Sequence, residues 1–169
     1  RHDISDDDER AVLEVLRSDF LTQGPAVPRF ERAIAERVGA AHAVAVNSAT
    51  SALHVACLAL GLGPGDLLWT VPNTFIASAN CARYCGADVD FVDIDARSRN
   101  MSASALADKL QRAAAQGRLP KIVVPVHFSG LPCDMAEIGQ LARQYGFFVV
   151  EDASHAVGAR YQSSSIGDC

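Results

Sequence analysis

Two short segments hold the residues best suited to chemistry. Phe148-Val149-Val150-Glu151-Asp152-Ala153-Ser154-His155-Ala156 is an apolar run that ends in two carboxylates, with an imidazole three residues beyond Asp152. This pattern predicts a buried parallel strand that delivers Asp152 and His155 at its carboxyl end, where open α/β sheets bind ligands. Val44-Ala45-Val46-Asn47-Ser48-Ala49-Thr50-Ser51 predicts a second strand exit, and this one opens a helix at Ala49-Thr50-Ser51. Free N–H groups and the dipole at a helix start, joined by two hydroxyls, suit a phosphate. A carboxylate facing a ring nitrogen and a helix start facing a phosphate are together what pyridoxal 5'-phosphate requires. Asp152 would keep the pyridine nitrogen protonated so that the ring can accept electron density, and His155 would reach the same cofactor, for example at its phenolic oxygen. Taken singly, each has a plainer reading: a helix cap for Thr50 and Ser51, a turn cap for Asp152, a core or surface position for His155. The pairing of the two exits singles them out.

Phe75, in Pro72-Asn73-Thr74-Phe75, opens the helix after another predicted strand and offers a face on which a flat ring could stack; core packing is the alternative. His127 follows the next apolar strand and belongs to the same edge, its role open, with substrate contact the candidate. Gly61-Leu62-Gly63-Pro64-Gly65 superficially resembles a dinucleotide loop, but it follows a helix and opens none. No Ser–His–Asp nucleophile elbow is visible. Cys81 and Cys85 share a helix face at i and i+4, and small buried thiols explain them better than a metal does.

The elements that must position these residues alternate. A helix is predicted from Asp6 to about Ser18, capped by Ser5, and a second opens at Pro28 and ends at Gly39. Strands are predicted at 43–47, 67–71, 89–93, 121–126 and 147–151, and helices at 50–61, 74–85, 102–116 and 134–145. Nearly all-apolar strands such as Ile122-Val123-Val124-Pro125-Val126 predict a largely parallel sheet covered by helices on both faces. The 169 residues suffice for one sizeable core. A net charge of -5 leaves no basic stripe for nucleic acid, and no apolar run is long enough to span a bilayer. No signal peptide opens the chain, and the Arg1-His2 start predicts a natural terminus further upstream. Five cysteines without close pairing patterns fit a reducing, cytoplasmic setting.

With these residues in hand, the chain resembles the DegT/DnrJ/EryC1/StrS sugar aminotransferases, fold-type-I pyridoxal-phosphate enzymes that act on nucleotide-linked 4-keto sugars. The matching blocks are Ser18-Asp19-Phe20-Leu21-Thr22-Gln23-Gly24-Pro25, Asn47-Ser48-Ala49-Thr50-Ser51-Ala52-Leu53, Pro72-Asn73-Thr74-Phe75, Val92-Asp93-Ile94-Asp95 with Asn100-Met101, and Glu151-Asp152-Ala153-Ser154-His155-Ala156. Trp69-Thr70-Val71-Pro72, Ser78-Ala79-Asn80-Cys81 and Pro125-Val126-His127 are most similar to the branch serving pseudaminic acid biosynthesis. The resemblance implies an aspartate aminotransferase-like fold, with a helical arm over 1–40 and an incomplete cofactor-binding large domain over 41–169. It implies Ala49, Thr50 and Ser51 on the cofactor phosphate, Phe75 on the ring, Asp152 at the pyridine nitrogen and His155 near the phenolic oxygen. It also puts Thr22 and Gln23 near the substrate entrance. It implies an amino-acid donor, glutamate, with amination at C4 of a nucleotide-linked 4-keto-6-deoxy sugar, and a homodimer.

The family's Schiff-base lysine lies downstream of the Glu-Asp-Ala-Ser-His block, and Lys109 and Lys121 are the only lysines present. Neither suits the role by position, so the chain by itself is expected to be inactive. A relative carrying histidine at the lysine position would instead dehydrate the sugar at C3, and a non-catalytic phosphate-binding α/β module is the reading from another class. The family's sheet order, 3-2-4-5-6-7-1, further implies that strand one (43–47) loses its neighbours here. The isolated chain is then expected to fold poorly or to pair strand one directly with strand five.

Overall fold

The computed structural model describes residues 3–168. Arg1, His2 and Cys169 lie outside the described residues, and with them the expectations drawn from the chain's first residues and its fifth cysteine. The chain divides into two compact units, the first ending at Ala45 and the second starting at Val46.

In the first unit, α1 (Asp6–Leu16) starts on a reciprocal capping box. The Asp8 N–H donates to Ser5 Oγ, and the Ser5 N–H donates to Asp8 Oδ2 at 2.8 Å. Asp6, Asp7, Asp8 and Glu9 place negative charge at the positive end of the helix dipole. A turn over Leu21–Pro25 leads into α2 (Ala26–Val38), which ends on Gly39 in the left-handed conformation, φ 86°. Pro28 does not open α2 as predicted but is its third residue. First-turn N–H groups have no intrahelical acceptor, so a proline there forfeits nothing. The Ala45 N–H is held by Glu31 Oε1 at 2.9 Å. Neither helix has a buried residue.

The second unit is a four-stranded parallel sheet. It comprises α3 (Ala49–Ala59), β1 (Leu67–Thr70), α4 (Ala77–Tyr84), β2 (Asp88–Phe91), α5 (Ala103–Ala115), β3 (Ile122–Val123), α6 (Met135–Tyr145) and β4 (Phe148–Val149). An antiparallel hairpin of β5 (Arg160–Tyr161) and β6 (Ser164–Ser165) follows. The spatial order β2-β1-β3-β4 is the predicted 3-2-4-5 portion of the sheet. Side chains alternate across it. Leu68, Ile122 and Val124 pack with Leu53 and Cys57 of α3 and Ala77 and Cys81 of α4. Trp69, Val71 and Val123 pack on the opposite face with Leu106 and Leu110 of α5 and Ile138 of α6. Each such fully buried aliphatic side chain is worth about 1.5–3 kcal/mol against exposure.

Three expectations are corrected. Residues 42–46 form no sheet pairing, so the predicted strand at 43–47, and its direct pairing with the last strand, are both absent. A strand exists only through its ladder, and the neighbours implied for this segment are not in the sheet. The strands predicted at 121–126 and 147–151 are two-residue ladders, although backbone bonds extend them through Val150 N–H to Val123 O and Asp152 N–H to Pro125 O. Pro125 lacks an N–H to continue the ladder in the other direction. The helix predicted at 74–85 starts only at Ala77, leaving Phe75 on the preceding loop. No helix among the described residues is long and apolar enough to cross a membrane.

Candidate active site

β4 delivers Asp152 to the carboxyl edge of the sheet. A parallel bridge to Val126 fixes its backbone, which donates to Pro125 O at 2.9 Å and accepts from the His127 N–H at 3.1 Å. Its carboxylate is 8% exposed, and both oxygens are held. Oδ1 accepts from the Ser154 N–H at 3.2 Å and the Ser154 hydroxyl at 2.7 Å, while Oδ2 accepts from the Ser78 hydroxyl at 2.7 Å. A buried carboxylate is tolerable only when so engaged.

Ser78 joins Asp152 to the loop that carries Phe75. Its Oγ also lies 2.9 Å from Thr74 Oγ1 and 3.2 Å from Phe75 O. The Phe75 ring itself is 73% exposed, which removes the core-packing alternative. An exposed aromatic on a loop tied through Ser78 to a buried carboxylate offers a face to a flat partner.

α3 brings its N-terminus to the same edge. The Lys121 ammonium donates to Gly61 O at 2.5 Å and to Asp66 Oδ2 at 2.9 Å, and this ties the loop after α3 to the amino ends of β1 and β3. Eleven residues of helix then run about 16 Å back toward the carboxyl edge. Ser48 caps the helix by accepting the Ser51 N–H at 3.2 Å, so the N–H groups of Ala49 and Thr50 remain without a partner among the described residues. α3 and α4 lie side by side on one face of the sheet. There the Cys57 and Cys81 thiols lie in one cluster, and their mutual interaction pushes Cys57 up and Cys81 down from the usual thiol value. Cys133 is pushed up to about 12 by burial on the opposite face. Enclosed within the two apolar clusters, all three thiols act as packing groups.

His155 sits one turn beyond Asp152 with its side chain exposed. Its carbonyl is approached by Gly130, φ +84°, where a Cβ would come within 2.7 Å of His155 O. Glycine is therefore required for the two loops to meet. Asn100, overlooked as a positioning residue in the sequence, anchors the Gly130 loop. Its amide donates to Leu131 O and Pro132 O at 3.0 and 2.9 Å, and its Oδ1 accepts the Phe128 N–H at 2.9 Å.

His127, the candidate substrate contact, is enclosed in this chain. It is 1% exposed, its Nδ1 accepts the Cys133 N–H at 3.0 Å, and its Nε2 lies 2.8 Å from Glu151 Oε2. An Nδ1 that accepts leaves the ring proton on Nε2, which donates to Glu151. Both nitrogens are thus spent on structure. Lys109 is equally committed, to Asp90 at 2.7 Å and Phe91 O at 2.6 Å, with its ammonium over the Trp69 ring. Thr22 and Gln23 belong to the first unit, exposed on the turn before α2, where Gln23 has φ 53°.

The profile of the DegT/DnrJ/EryC1/StrS aminotransferase family matches residues 2–169. The spore coat polysaccharide biosynthesis protein SpsC of Bacillus subtilis (strain 168) is 44% identical over 164 residues, covering 97% of this chain and 41% of that protein. GDP-perosamine synthase of Caulobacter vibrioides is 41% identical over 162 residues, 94% of this chain and 42% of the relative. Among solved structures, Helicobacter pylori PseC, an aminotransferase involved in pseudaminic acid biosynthesis, superposes with a TM-score of 0.88 at 31% identity, covering 97% of this chain and 43% of that one. The chain therefore spans about two-fifths of the length of these relatives. It belongs to the DegT/DnrJ/EryC1/StrS aminotransferase family.

Proposed function

We propose that this chain is the cofactor-binding front portion of a pyridoxal-phosphate aminotransferase that aminates C4 of a nucleotide-linked 4-keto-6-deoxy sugar with glutamate as donor, working as a cytoplasmic homodimer. Aminotransferases of this family depend on pyridoxal 5'-phosphate. The observation that carries the reading is the buried, fully oriented Asp152 carboxylate linked through Ser78 to the loop of the exposed Phe75. When bound, the cofactor supplies a protonated ring that takes up electron density from the bond broken beside the transferred nitrogen.

The chain's own residues bind and orient it. Asp152 would hold a proton on the ring nitrogen, and Phe75 would cover one face of the ring and exclude water from it. The Ala49 and Thr50 N–H groups, with the Thr50 and Ser51 hydroxyls, would grip the phosphate at the positive end of α3. His155 would donate toward the phenolic oxygen. Lys109 and Lys121 are both engaged in structural contacts, so in this reading neither anchors the cofactor covalently and the chain alone would be inactive.

The test is Asp152→Asn in the full-length protein, assayed for amine transfer from glutamate to a UDP- or GDP-linked 4-keto-6-deoxy sugar. A neutral amide cannot keep the ring nitrogen charged, so turnover should fall by at least about a thousandfold, the loss of roughly 4 kcal/mol of electrostatic stabilisation. Turnover within tenfold of wild type would overturn the reading.

A further inference from the structure

We propose that Ser78 is a positioning residue that sets which lone pair of Asp152 faces the cofactor ring, with Thr74 orienting Ser78 in turn. This rests on the role assigned to Asp152 above.

The Ser78 hydroxyl is completely buried, so it must be hydrogen-bonded. It has three oxygen neighbours and one proton: Asp152 Oδ2 at 2.7 Å, Thr74 Oγ1 at 2.9 Å and Phe75 O at 3.2 Å. The shortest contact is to the charged acceptor and has the length of an O–H···O⁻ bond, whereas the Phe75 contact is long for a hydroxyl donor. The proton therefore belongs to Asp152. Ser78 Oγ is then left to accept, and Thr74 must donate to it. The direction of the chain is fixed as Thr74 to Ser78 to Asp152.

On the carboxylate, Oδ1 already receives both donors of Ser154, while Oδ2 receives only Ser78. A carboxylate oxygen has two lone pairs. Among the described residues, the second lone pair of Oδ2 is the one left open to a ring N–H. Because Ser78 occupies the first, it dictates the direction of the second. In this way Ser78 would present that lone pair to a ring N–H, and its loss would loosen the hold on the ring proton. The five residues Thr74–Ser78 thereby carry both the stacking ring and the device that aims the carboxylate, on opposite ends of one short segment.

The experiment uses the full-length protein loaded with pyridoxal 5'-phosphate labelled with 15N in the ring, and reads two quantities: the 15N chemical shift and the affinity of the released apoprotein for cofactor. Ser78→Ala is expected to move the shift toward the unprotonated value and to weaken binding on the order of tenfold, as for loss of one hydrogen bond to a charge. Thr74→Val should move both in the same direction by less, and it decides the matter alone if Ser78→Ala does not fold. A wild-type shift and affinity in the folded variants, with the protonated signal lost in Asp152→Asn, would overturn the role of Ser78 and leave that of Asp152 intact. A protonated signal that survives Asp152→Asn would overturn both.

Discussion

At the scale of single residues, the site separates side chains that await a ligand from side chains that hold the framework. Phe75 and His127 are the contrasting pair. Phe75 gives almost nothing to folding, so Phe75→Ala should melt within about 0.5 kcal/mol of wild type. Its loss should nevertheless weaken cofactor binding roughly three- to tenfold, the worth of one aromatic stack, as measured by titrating apoprotein with pyridoxal 5'-phosphate. His127 is the reverse case. His127→Ala opens a cavity, removes one donor from Glu151 and leaves the Cys133 N–H without its acceptor, so it should cost about 2–4 kcal/mol in denaturant unfolding while the KM for sugar in the folded fraction stays at the wild-type value. A raised KM with unchanged stability would restore the histidine to the substrate. Asp152 was legible in the sequence because an apolar strand ending in an acid is a local pattern. Ser78 was not, because its meaning lies in a partner 74 residues away and it stands between two alanines and an asparagine that read simply as helix.

At the scale of elements, the parallel pairing could be read because each βαβ crossover returns the chain parallel to itself on a helix-covered face, whereas the strand order came only from the family resemblance. The end of α3 depends on something less visible, a tie at the amino edge where Lys121 reaches both Gly61 O and Asp66. The Lys121 ammonium, helped by the Gly63 N–H, holds the Asp66 carboxyl below its ordinary value of 3.8. A depressed carboxylate stabilises the fold above its unfolded value, and that contribution is lost as pH falls through the folded one. Asp66→Asn should therefore lower the melting midpoint by roughly a few degrees at pH 7. The gap between variant and wild type should close as the pH is taken well below about 4. A gap of constant size down to acid pH would mean that the tie is not electrostatic. The failed strand at 43–47 shows the limit of pattern reading: its residues have the right types, but strandness is conferred by neighbours that the segment cannot encode by itself.

At the scale of the whole molecule, one helix is apolar beyond what the second unit covers. α3 buries Leu53 and Cys57, yet Val55 and Leu58 on its other side are 51% and 53% exposed. A helix apolar all round is normally enclosed. The sheet adds to this, since β2 and β4 are both open edges and the outward-facing Phe148 is half exposed. A net charge of -5 spread over 169 residues is a weak repulsive term against such surfaces. The chain of residues 1–169 produced alone should therefore self-associate at micromolar concentrations, as read by light scattering after size exclusion. Val55→Glu with Leu58→Lys places charges one turn apart on the exposed face of α3 without touching Leu53 or Cys57. That double substitution should shift the population toward monomer while leaving the far-ultraviolet dichroism unchanged. A wild-type chain that runs as a clean monomer at tens of micromolar would show that the open apolar face of α3 does not drive association. A variant that associates as strongly as wild type would point instead to the edges of β2 and β4.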